Sequence, residues 1–521
     1  MRNQVELIRI IKDFQPVNDE RLLGRAAQLT PVLHHETVEA ERCFQTDGPE
    51  GRKQETVAPE EAARVSLGRG QSLCFDFGRH LVGRVTLELS CTGSHPDAPA
   101  FLKLNFTETR KELEMRSEDY HGWVSGSWIQ EEYIHVDELP ARVELPRRYA
   151  FRYLNITVLE TSPKYRLTVA RAECVTETSA DFSRPERRET GDPMLDRIYQ
   201  VSLRTLADCM QDVFEDGPKR DRRLWVGDLR LEALANYASF RNYDLVKRCL
   251  YLFGGSRFPD GRVSACLFTR PEVRADDTYM FDYALLYTVA LEEYLSQTDD
   301  REALDDLYDI AMRQVELSLA QCDGRDLVSV QAGEDSFIDW SDGQDKQACA
   351  QAVLIYALSY ARRLAERKND RRKADWLAGR AAALKQAARD CFWDPERRCF
   401  VSNGQVSIAS QIWMTLADVL TAEEAADLMG RSERFMGEFP MATPYMRHYY
   451  VMALIRAGLT EQAVSQLKQY WGGMIDAGAD TFWESWDPEE PDGSPYGGSI
   501  INSFCHGWSC TPAYILKILQ S

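Results

Sequence analysis

The sequence of 521 residues lacks the motifs that would assign a function at once. It contains no GxGxxG, GxxxxGK[ST], HExxH, GxSxG or EF-hand pattern, so nucleotide cofactors and zinc proteolysis have no support. No stretch approaches the ~20 apolar residues that span a bilayer, and residues 1–15 carry charges throughout, unlike a signal peptide. Negative charge predominates, with 82 Asp and Glu against 62 Lys and Arg, and the net charge of −20 argues against nucleic acid or an anionic membrane as a partner.

Spacing patterns among the metal-ligating residues are also missing. The 13 cysteines form no CxxC pair, which predicts free buried thiols in a reducing compartment and therefore a cytoplasmic protein. The eight histidines show no ligand spacing, because His34 and His35 are adjacent and the others are isolated. We therefore expect neither a metal site nor a cofactor.

Up to about residue 180 the apolar residues alternate with polar ones. Alternation marks strands with one buried face, and several short strands of this kind predict an antiparallel β-sandwich. The stretch LIRIIKDF, residues 7–14, is compatible with either a strand or a short helix, and residues 1–35 as a whole are less regular. The alternating runs span residues 84–91, 101–108, 153–160 and 166–173.

After the polar segment 183–193 the apolar period becomes helical. Asp192 and Pro193 suit a helix cap and a first helical residue. Helix follows helix for about 330 residues, enough for about a dozen helices, and the lack of a fixed-length repeat disfavours a solenoid and favours a barrel of paired helices. The sequence thus predicts a β-sandwich domain over residues 1–182 and an all-α domain over residues 183–521.

Three predicted loops combine carboxylates with tryptophan: residues 215–228 (EDGPKRDRRLWVGD), 336–346 (SFIDWSDGQDK) and 480–508. Sugar rings stack on indole, and their hydroxyls bind carboxylates. Hydrolysis of a glycosidic bond needs one carboxylic acid and a second carboxylate that attacks or activates water. The residues alone leave structural roles open as well, with Asp228 as a helix N-cap and Trp225 as a core anchor.

The first of these loops carries a resemblance. DGPKRDRRLWVGD resembles the signature of the bacterial α-L-rhamnosidases of glycoside hydrolase family 78, and the TFWESW segment and the closing INSFCHGWSCTPAYIL are similar to that family in order and spacing. Residues 75–89 and 148–158 resemble its β-sandwich, so the resemblance covers most of residues 70–521. It implies an (α/α)6 barrel that hydrolyses terminal non-reducing α-L-rhamnose with inversion.

The resemblance also implies roles for individual residues. The general acid of the family falls on Asp221, four residues before the motif tryptophan, and its general base falls on Glu484. Many members have Glu at the first position, and the shorter Asp reaches about one methylene less far. Positions similar to those that bind the sugar are Asp216, Arg220, Trp225, Asp228, Asp339, Trp340, Trp483, Trp486 and His506.

Two other functions stay open at this point. Another (α/α)6 glycosidase, such as an unsaturated uronyl hydrolase, would need basic residues for its substrate, for which Arg220 and Arg447 are weak candidates. A non-catalytic sugar-binding relative should have lost one carboxylate of the pair, and both are present. The expected partners are small rhamnosylated glycosides or disaccharides, and exposed patches on the β domain could support a homodimer.

Overall fold

The computed structural model describes residues 9–10, 14–47, 54–185, 189–491 and 493–520. Of the stretch 7–14, whose conformation the sequence left open, Arg9–Ile10 form a short strand and Phe14 is described, while the rest lies outside these ranges. Within the described ranges, no helix combines the length and the apolar character needed to cross a membrane.

The N-terminal part is an antiparallel β domain built around one long strand, Gln71–Gly93. The first half of this strand pairs with Tyr149–Glu160 and Arg42–Asp47, and its second half pairs with Tyr165–Thr178 and Ala141–Glu144. The shared strand therefore belongs to two layers, and apolar side chains from both layers form one core. The remaining strands of the sheet are His34–Glu39, Gln54–Val57, Ala100–Thr107 and Glu131–Val136.

The C-terminal part is a domain of paired helices. Phe281–Thr298 packs against its successor Arg301–Leu319 and also against Gln347–Arg367, which in turn packs against Arg371–Phe392. Alternate helices thus form an inner ring with their neighbours outside, as in an (α/α)6 barrel, and the predicted fold class is confirmed. The other helices are Pro193–Cys209, Val226–Tyr237, Tyr243–Gly255, Val330–Glu334, Ile408–Leu416, Ala422–Gly430, Pro444–Arg456, Thr460–Leu467, Gly473–Asp476 and Pro512–Leu519.

The segment before the β domain packs on the helical domain. Helix Glu20–Gln28 lies against Tyr243–Gly255, and the short strand Val17–Asn18 pairs with Ser256–Arg257. Leu22 of this helix is buried in the core of the helical domain. The uncertain first 35 residues of the predicted β domain thus include a segment that contacts the helical domain. The division at residues 182 and 183 stays a prediction.

A buried charge cluster joins the two domains. His80 of the long strand hydrogen-bonds Asp208 through Nδ1 at 2.8 Å and Glu108 through Nε2 at 3.1 Å. Burial opposes protonation of His80, but the neighbouring Cys505 and the two carboxylates outweigh it and raise its pKa well above the ordinary value. Glu108 also accepts the backbone N–H of Phe504 at 2.8 Å, so the cluster reaches the C-terminal part of the chain.

The same cluster is where a metal would be sought. Among the described residues, His80, Asp208 and Cys505 bring potential ligand atoms within 4.8 Å of one another. Both ring nitrogens of His80 are already hydrogen-bonded to carboxylates, and the Cys505 thiol lies 3.8 Å from the carbonyl of Thr205. The cluster is therefore satisfied as a hydrogen-bonded ion pair. The described cysteines are free, and Cys391 is exposed.

His80→Gln tests the cluster. We expect the variant to lose about 3 kcal/mol of unfolding free energy at about pH 6, because it removes the cation shared by two buried carboxylates. A pKa raised on folding gives stability that is present below the unfolded value near 6.5 and lost as pH rises through the folded value. The deficit of the variant should therefore shrink at about pH 9. Urea unfolding at both pH values checks this, with exposed His95→Gln as control; an equal deficit at both would contradict it.

Candidate active site

One cavity of about 130 Å³ opens at the junction of the two domains. Its walls come from the loop around residues 216–228, the segment around residues 337–346, the segment 484–508 and one tryptophan of the β domain. Segments far apart in sequence therefore converge on one space. Its lining residues are Trp123, Asp216, Arg220, Asp221, Trp225, Asp228, Met280, Tyr283, Phe337, Asp339, Trp340, Lys346, Glu484, Tyr496, His506 and Trp508.

Most of the residues singled out in the sequence line this cavity, but Trp483 and Trp486 do not. Trp483 is buried and packs edge-on against Phe504, with ring centroids 5.2 Å apart. Trp486 packs against Tyr470 at 5.5 Å. The two indoles beside Glu484 therefore hold its segment in place from outside the cavity, and the prediction that they contact the sugar is not supported by their position.

Glu484 is fixed by contacts at each of its polar groups. Its Oε2 accepts a hydrogen bond from Arg220 and its Oε1 accepts one from the Tyr496 hydroxyl. Its backbone N–H donates to the Ser503 carbonyl at 3.0 Å, and its carbonyl accepts from the Trp508 indole at 3.0 Å. The carboxylate is thus oriented before any substrate enters, which is the condition for efficient proton transfer.

Arg220 links the two candidate catalytic carboxyl groups. Its guanidinium lies over the Tyr496 ring, 4.0 Å from the centroid, and its Nε donates to the Ile501 carbonyl at 3.2 Å. Its Nη1 is 4.0 Å from Asp221 Oδ1, while Nη2 bonds Glu484. Burial alone would lower the pKa of Arg220, but the neighbouring Glu484, Tyr496 and Asp221 outweigh it, so the pKa is raised. One cation therefore contacts both carboxyl groups.

Asp228 and His506 carry polar atoms that await a partner. Asp228 Oδ1 and His506 Nδ1 lie 3.6 Å apart, both are buried, and neither has a hydrogen-bond partner among the described residues. Burial, then the negative charge of Glu484, raises the pKa of Asp228, and burial, then Arg220, lowers the pKa of His506. Because buried polar groups are normally hydrogen-bonded, these two atoms are suited to ligand hydroxyls.

The structural role considered for Asp228 is wrong in detail. Helix Val226–Tyr237 begins two residues before Asp228, with Trp225 in the cap position, because Trp225 is paired in a short strand with Cys266. Gly227 permits this start, since a Cβ there would lie 2.4 Å from the ring of Tyr283. Asp228 therefore sits in the first turn of the helix, on the side that lines the cavity.

Asp216 is a third buried carboxyl group in the lining. Its Oδ1 accepts the backbone N–H of Arg223 at 3.0 Å, which closes the loop on itself. Burial, then the charges of Asp221 and Asp228, raises its pKa well above the ordinary value. Asp216, Asp221 and Asp228 therefore share a small space. Asp221 is the most exposed of the three, with 22% of its side chain exposed.

Asp339 lines the cavity, but both of its carboxylate oxygens already accept hydrogen bonds from the protein. Its Oδ2 accepts from the N–H of Ala442 at 2.8 Å, and its Oδ1 accepts from the Thr443 hydroxyl at 2.8 Å and from the N–H of Trp340 at 2.9 Å. Burial raises its pKa to about 6. Asp339 therefore ties its loop to the start of helix Pro444–Arg456, while Trp340 presents its ring to the cavity.

Several lining residues were missed by sequence reasoning. Tyr496 and Trp508 fall inside the 480–508 cluster, where their aromatic character was the available signal. Phe337 and Lys346 fall inside the predicted loop 336–346, whereas Trp123 lies in an irregular part of the β domain and had no such signal. The residues that sequence reasoning did not name are Trp123, Met280, Tyr283, Phe337, Lys346, Tyr496 and Trp508.

Comparison with known families gives two matches that together span most of the chain. Residues 44–176 match the glycosyl hydrolase family 78 alpha-rhamnosidase N-terminal domain. Residues 187–517 match the bacterial alpha-L-rhamnosidase 6 hairpin glycosidase domain. The comparison with curated proteins found no match.

Solved structures agree with these matches. A rhamnosidase from Klebsiella oxytoca with rhamnose bound is 43% identical, with a TM-score of 0.93, and the alignment covers 97% of this chain and 100% of that one. A family 78 rhamnosidase of Bacillus sp. GL1 is 22% identical with a TM-score of 0.73, covering 90% and 50%. An α-L-rhamnosidase of Streptomyces avermitilis complexed with L-rhamnose is 17% identical with a TM-score of 0.68, covering 94% and 44%. The last two support the fold.

A six-hairpin helical domain behind a β domain, with carboxyl groups and aromatic rings around one small cavity, defines a glycoside hydrolase. The matches to both domains and the 43% identical relative identify its family. The chain belongs to glycosyl hydrolase family 78, the α-L-rhamnosidases. The resemblance noted in the sequence is thereby confirmed.

Two buried carboxylates of the lining should respond differently to the same change. Asp228→Asn should weaken rhamnose binding about tenfold, because Oδ1 of Asp228 has no partner among the described residues and the amide cannot reproduce both hydrogen-bonding roles of a carboxyl group. Asp339→Asn is the matched control: its oxygens are engaged by the protein, so it should cost about 1–3 kcal/mol of stability and leave affinity within about threefold. Calorimetric titration with rhamnose and thermal unfolding separate the two, and equal affinity losses would contradict the assignment.

Proposed function

We propose that the protein removes terminal non-reducing α-L-rhamnose from small glycosides by a single displacement that inverts the anomeric centre. Asp221 is the general acid and Glu484 is the general base. The observation that carries the proposal is a pair of carboxyl groups beside one buried guanidinium in the cavity, with Glu484 hydrogen-bonded to Nη2 of Arg220 and Asp221 Oδ1 4.0 Å from Nη1. The identity of the sugar, α-L-rhamnose, is inferred from membership of family 78.

The two carboxyl groups differ in the way that the two roles require. The Asp221 side chain is 22% exposed, whereas that of Glu484 is 6% exposed. The acid must meet the glycosidic oxygen, beyond which the leaving group extends toward solvent. The base acts on a water on the opposite face of the sugar ring, where a closed and rigid environment is favourable. Glu484 has that environment through Arg220 and Tyr496.

The contacts of the pair with Arg220 are compatible with the spacing that inversion requires. Inverting glycosidases hold their carboxyl groups ~6.5–9.5 Å apart to admit a water, and retaining ones ~5–5.5 Å apart. Asp221 Oδ1 is 4.0 Å from Nη1 of Arg220, and Glu484 bonds Nη2, so both contacts can be kept at the wider spacing. The same guanidinium compensates negative charge on the base without occupying the oxygen bound by Tyr496.

The rest of the lining suits a 6-deoxy sugar. Asp216, Asp228 and His506 offer carboxyl and imidazole groups to ring hydroxyls. Trp225 and Trp340 offer apolar faces to the ring and to its methyl group. A cavity of about 130 Å³ with this buried floor accepts the end of a glycoside, so small rhamnosylated glycosides or disaccharides are the proposed substrates. A cytoplasmic location and a homodimer stay predictions.

Hydrolysis of 4-nitrophenyl α-L-rhamnoside tests the proposal. The wild type should release nitrophenol, and Glu484→Gln should reduce kcat by about 10³-fold or more while rhamnose binding changes little, because the amide keeps the shape but cannot take a proton. The exposed glutamate of the same segment provides the control, and Glu490→Gln should behave as wild type.

Two results would contradict the assignment. Wild-type turnover in Glu484→Gln would remove its role as base, and turnover of unsaturated uronyl or glucosyl substrates in place of the rhamnoside would remove the sugar. Asp221→Asn adds an arm to the same assay. The loss of turnover in Asp221→Asn should be smaller on the nitrophenyl glycoside than on methyl α-L-rhamnoside, because nitrophenolate is a good leaving group that needs little protonation.

A further inference from the structure

We propose that Trp123 of the β domain forms a leaving-group subsite at the opening of the cavity, where its indole face stacks on a planar aromatic aglycone. The inference rests on the proposed function, because a leaving-group subsite has meaning only where a glycosidic bond is cleaved. It goes beyond that function by naming the chemical class of the aglycone and the domain that recognises it.

Trp123 differs from the other aromatic residues of the lining in its exposure. It is 41% exposed, whereas Tyr283, Tyr496 and Trp508 are buried. Single exposed apolar side chains are ordinary on a soluble domain, so what distinguishes Trp123 is that its exposed ring borders the cavity. The exposed indole therefore lies at the open end of the cavity, and the buried rings form its floor.

The exposed ring is nevertheless held in place. Its Nε1 donates to the carbonyl of Pro495 at 3.0 Å, and its ring centroid lies 5.6 Å from that of Tyr496. The Tyr120 hydroxyl lies within hydrogen-bonding distance of the Val124 carbonyl at 3.0 Å and of the Tyr496 carbonyl at 3.2 Å. A surface already fixed by such contacts loses little freedom when it binds a ligand, as expected for a preformed subsite.

The position of the subsite follows from the chemistry. A general acid contacts the glycosidic oxygen, so the atoms beyond that oxygen extend away from the buried sugar and toward solvent. Asp221 is the more exposed carboxyl group of the pair, and Trp123 is the exposed aromatic residue of the same cavity. The leaving group therefore passes from Asp221 toward the side of the cavity where Trp123 lies.

The indole selects an apolar, flat partner. Because its N–H is already bonded to Pro495, Trp123 can offer a ligand only its face. Ring faces attract other aromatic rings by stacking, with a contribution beyond the area buried. A sugar ring can also stack on an indole face, but its hydroxyls would find no donor or acceptor on Trp123, so a flat aromatic aglycone gains more from this contact. The geometry favours an aromatic aglycone over a second sugar.

Three substrates with the same kind of leaving oxygen isolate this contribution. Ethyl α-L-rhamnoside, 2-phenylethyl α-L-rhamnoside and α-L-rhamnosyl-(1→6)-D-glucose all release a primary alcohol, so their chemistry is alike and the attached group differs. The wild type should cleave the phenylethyl substrate with kcat/KM about tenfold above the ethyl substrate, as aromatic stacking predicts. Trp123→Ala should bring the phenylethyl value to within about twofold of the ethyl value, so that the ratio of the two kcat/KM values falls about fivefold.

Two variants serve as controls. Trp123→Phe should keep much of the phenylethyl preference, because a smaller ring still stacks. Trp376→Ala changes a tryptophan of equal exposure, 42%, on helix Arg371–Phe392, and should leave all three substrates unaffected. Retention of the thermal unfolding temperature by Trp123→Ala shows that the measured loss comes from the site.

The outcomes separate this inference from the function on which it rests. If the wild type cleaves none of the three substrates, the proposed function fails. If it cleaves them and Trp123→Ala keeps the wild-type ratio, or loses ethyl and phenylethyl turnover equally, the subsite is overturned and the function stands. A loss confined to the disaccharide would overturn the aromatic assignment, because Trp123 would then bind a sugar.

Discussion

The buried guanidinium of Arg220 is the interaction on which the arrangement of the cavity depends. Asp216, Asp221, Asp228 and Glu484 surround one small space, and burial together with nearby negative charge opposes the charged forms of Asp216 and Asp228. The cation relieves this where it matters for chemistry, at the two carboxyl groups that it contacts. Removing Arg220 alone would leave buried carboxylates without a compensating charge, and the loss of stability would exceed the net contribution of the ion pair itself.

The β domain takes part in building the cavity. Lys219, two residues before Asp221, donates to Glu112 of the β domain at 2.5 Å and to the carbonyl of Asn502 at 2.9 Å. Glu108 holds the backbone of Phe504, close to His506. The loop that carries the proposed acid and the segment that carries the proposed sugar ligands are thus both hydrogen-bonded to the β domain. The two domains therefore build the cavity together.

The sequence predicted the architecture and much of the cavity, for reasons that are local. Strand and helix periods reflect which face of each element is buried, so both domains were visible in the pattern. Contacts between segments far apart in the sequence leave no such pattern and could not be predicted. Trp123 reaches the cavity through Pro495 and Tyr496, far along the chain. Trp483 and Trp486 do not line the cavity, because Trp483 packs on Phe504 and Trp486 on Tyr470, residues outside the short motif from which their roles were predicted.

The stereochemistry of the first product tests the central claim most directly, since the account requires a water between Glu484 and the sugar. Proton NMR of a freshly started reaction on an α-L-rhamnoside resolves the two anomers before they interconvert in solution. The account predicts that β-L-rhamnose accumulates first and the α anomer follows by mutarotation. Initial release of α-L-rhamnose would contradict it, because retention requires a covalent intermediate and a closer pair of carboxyl groups.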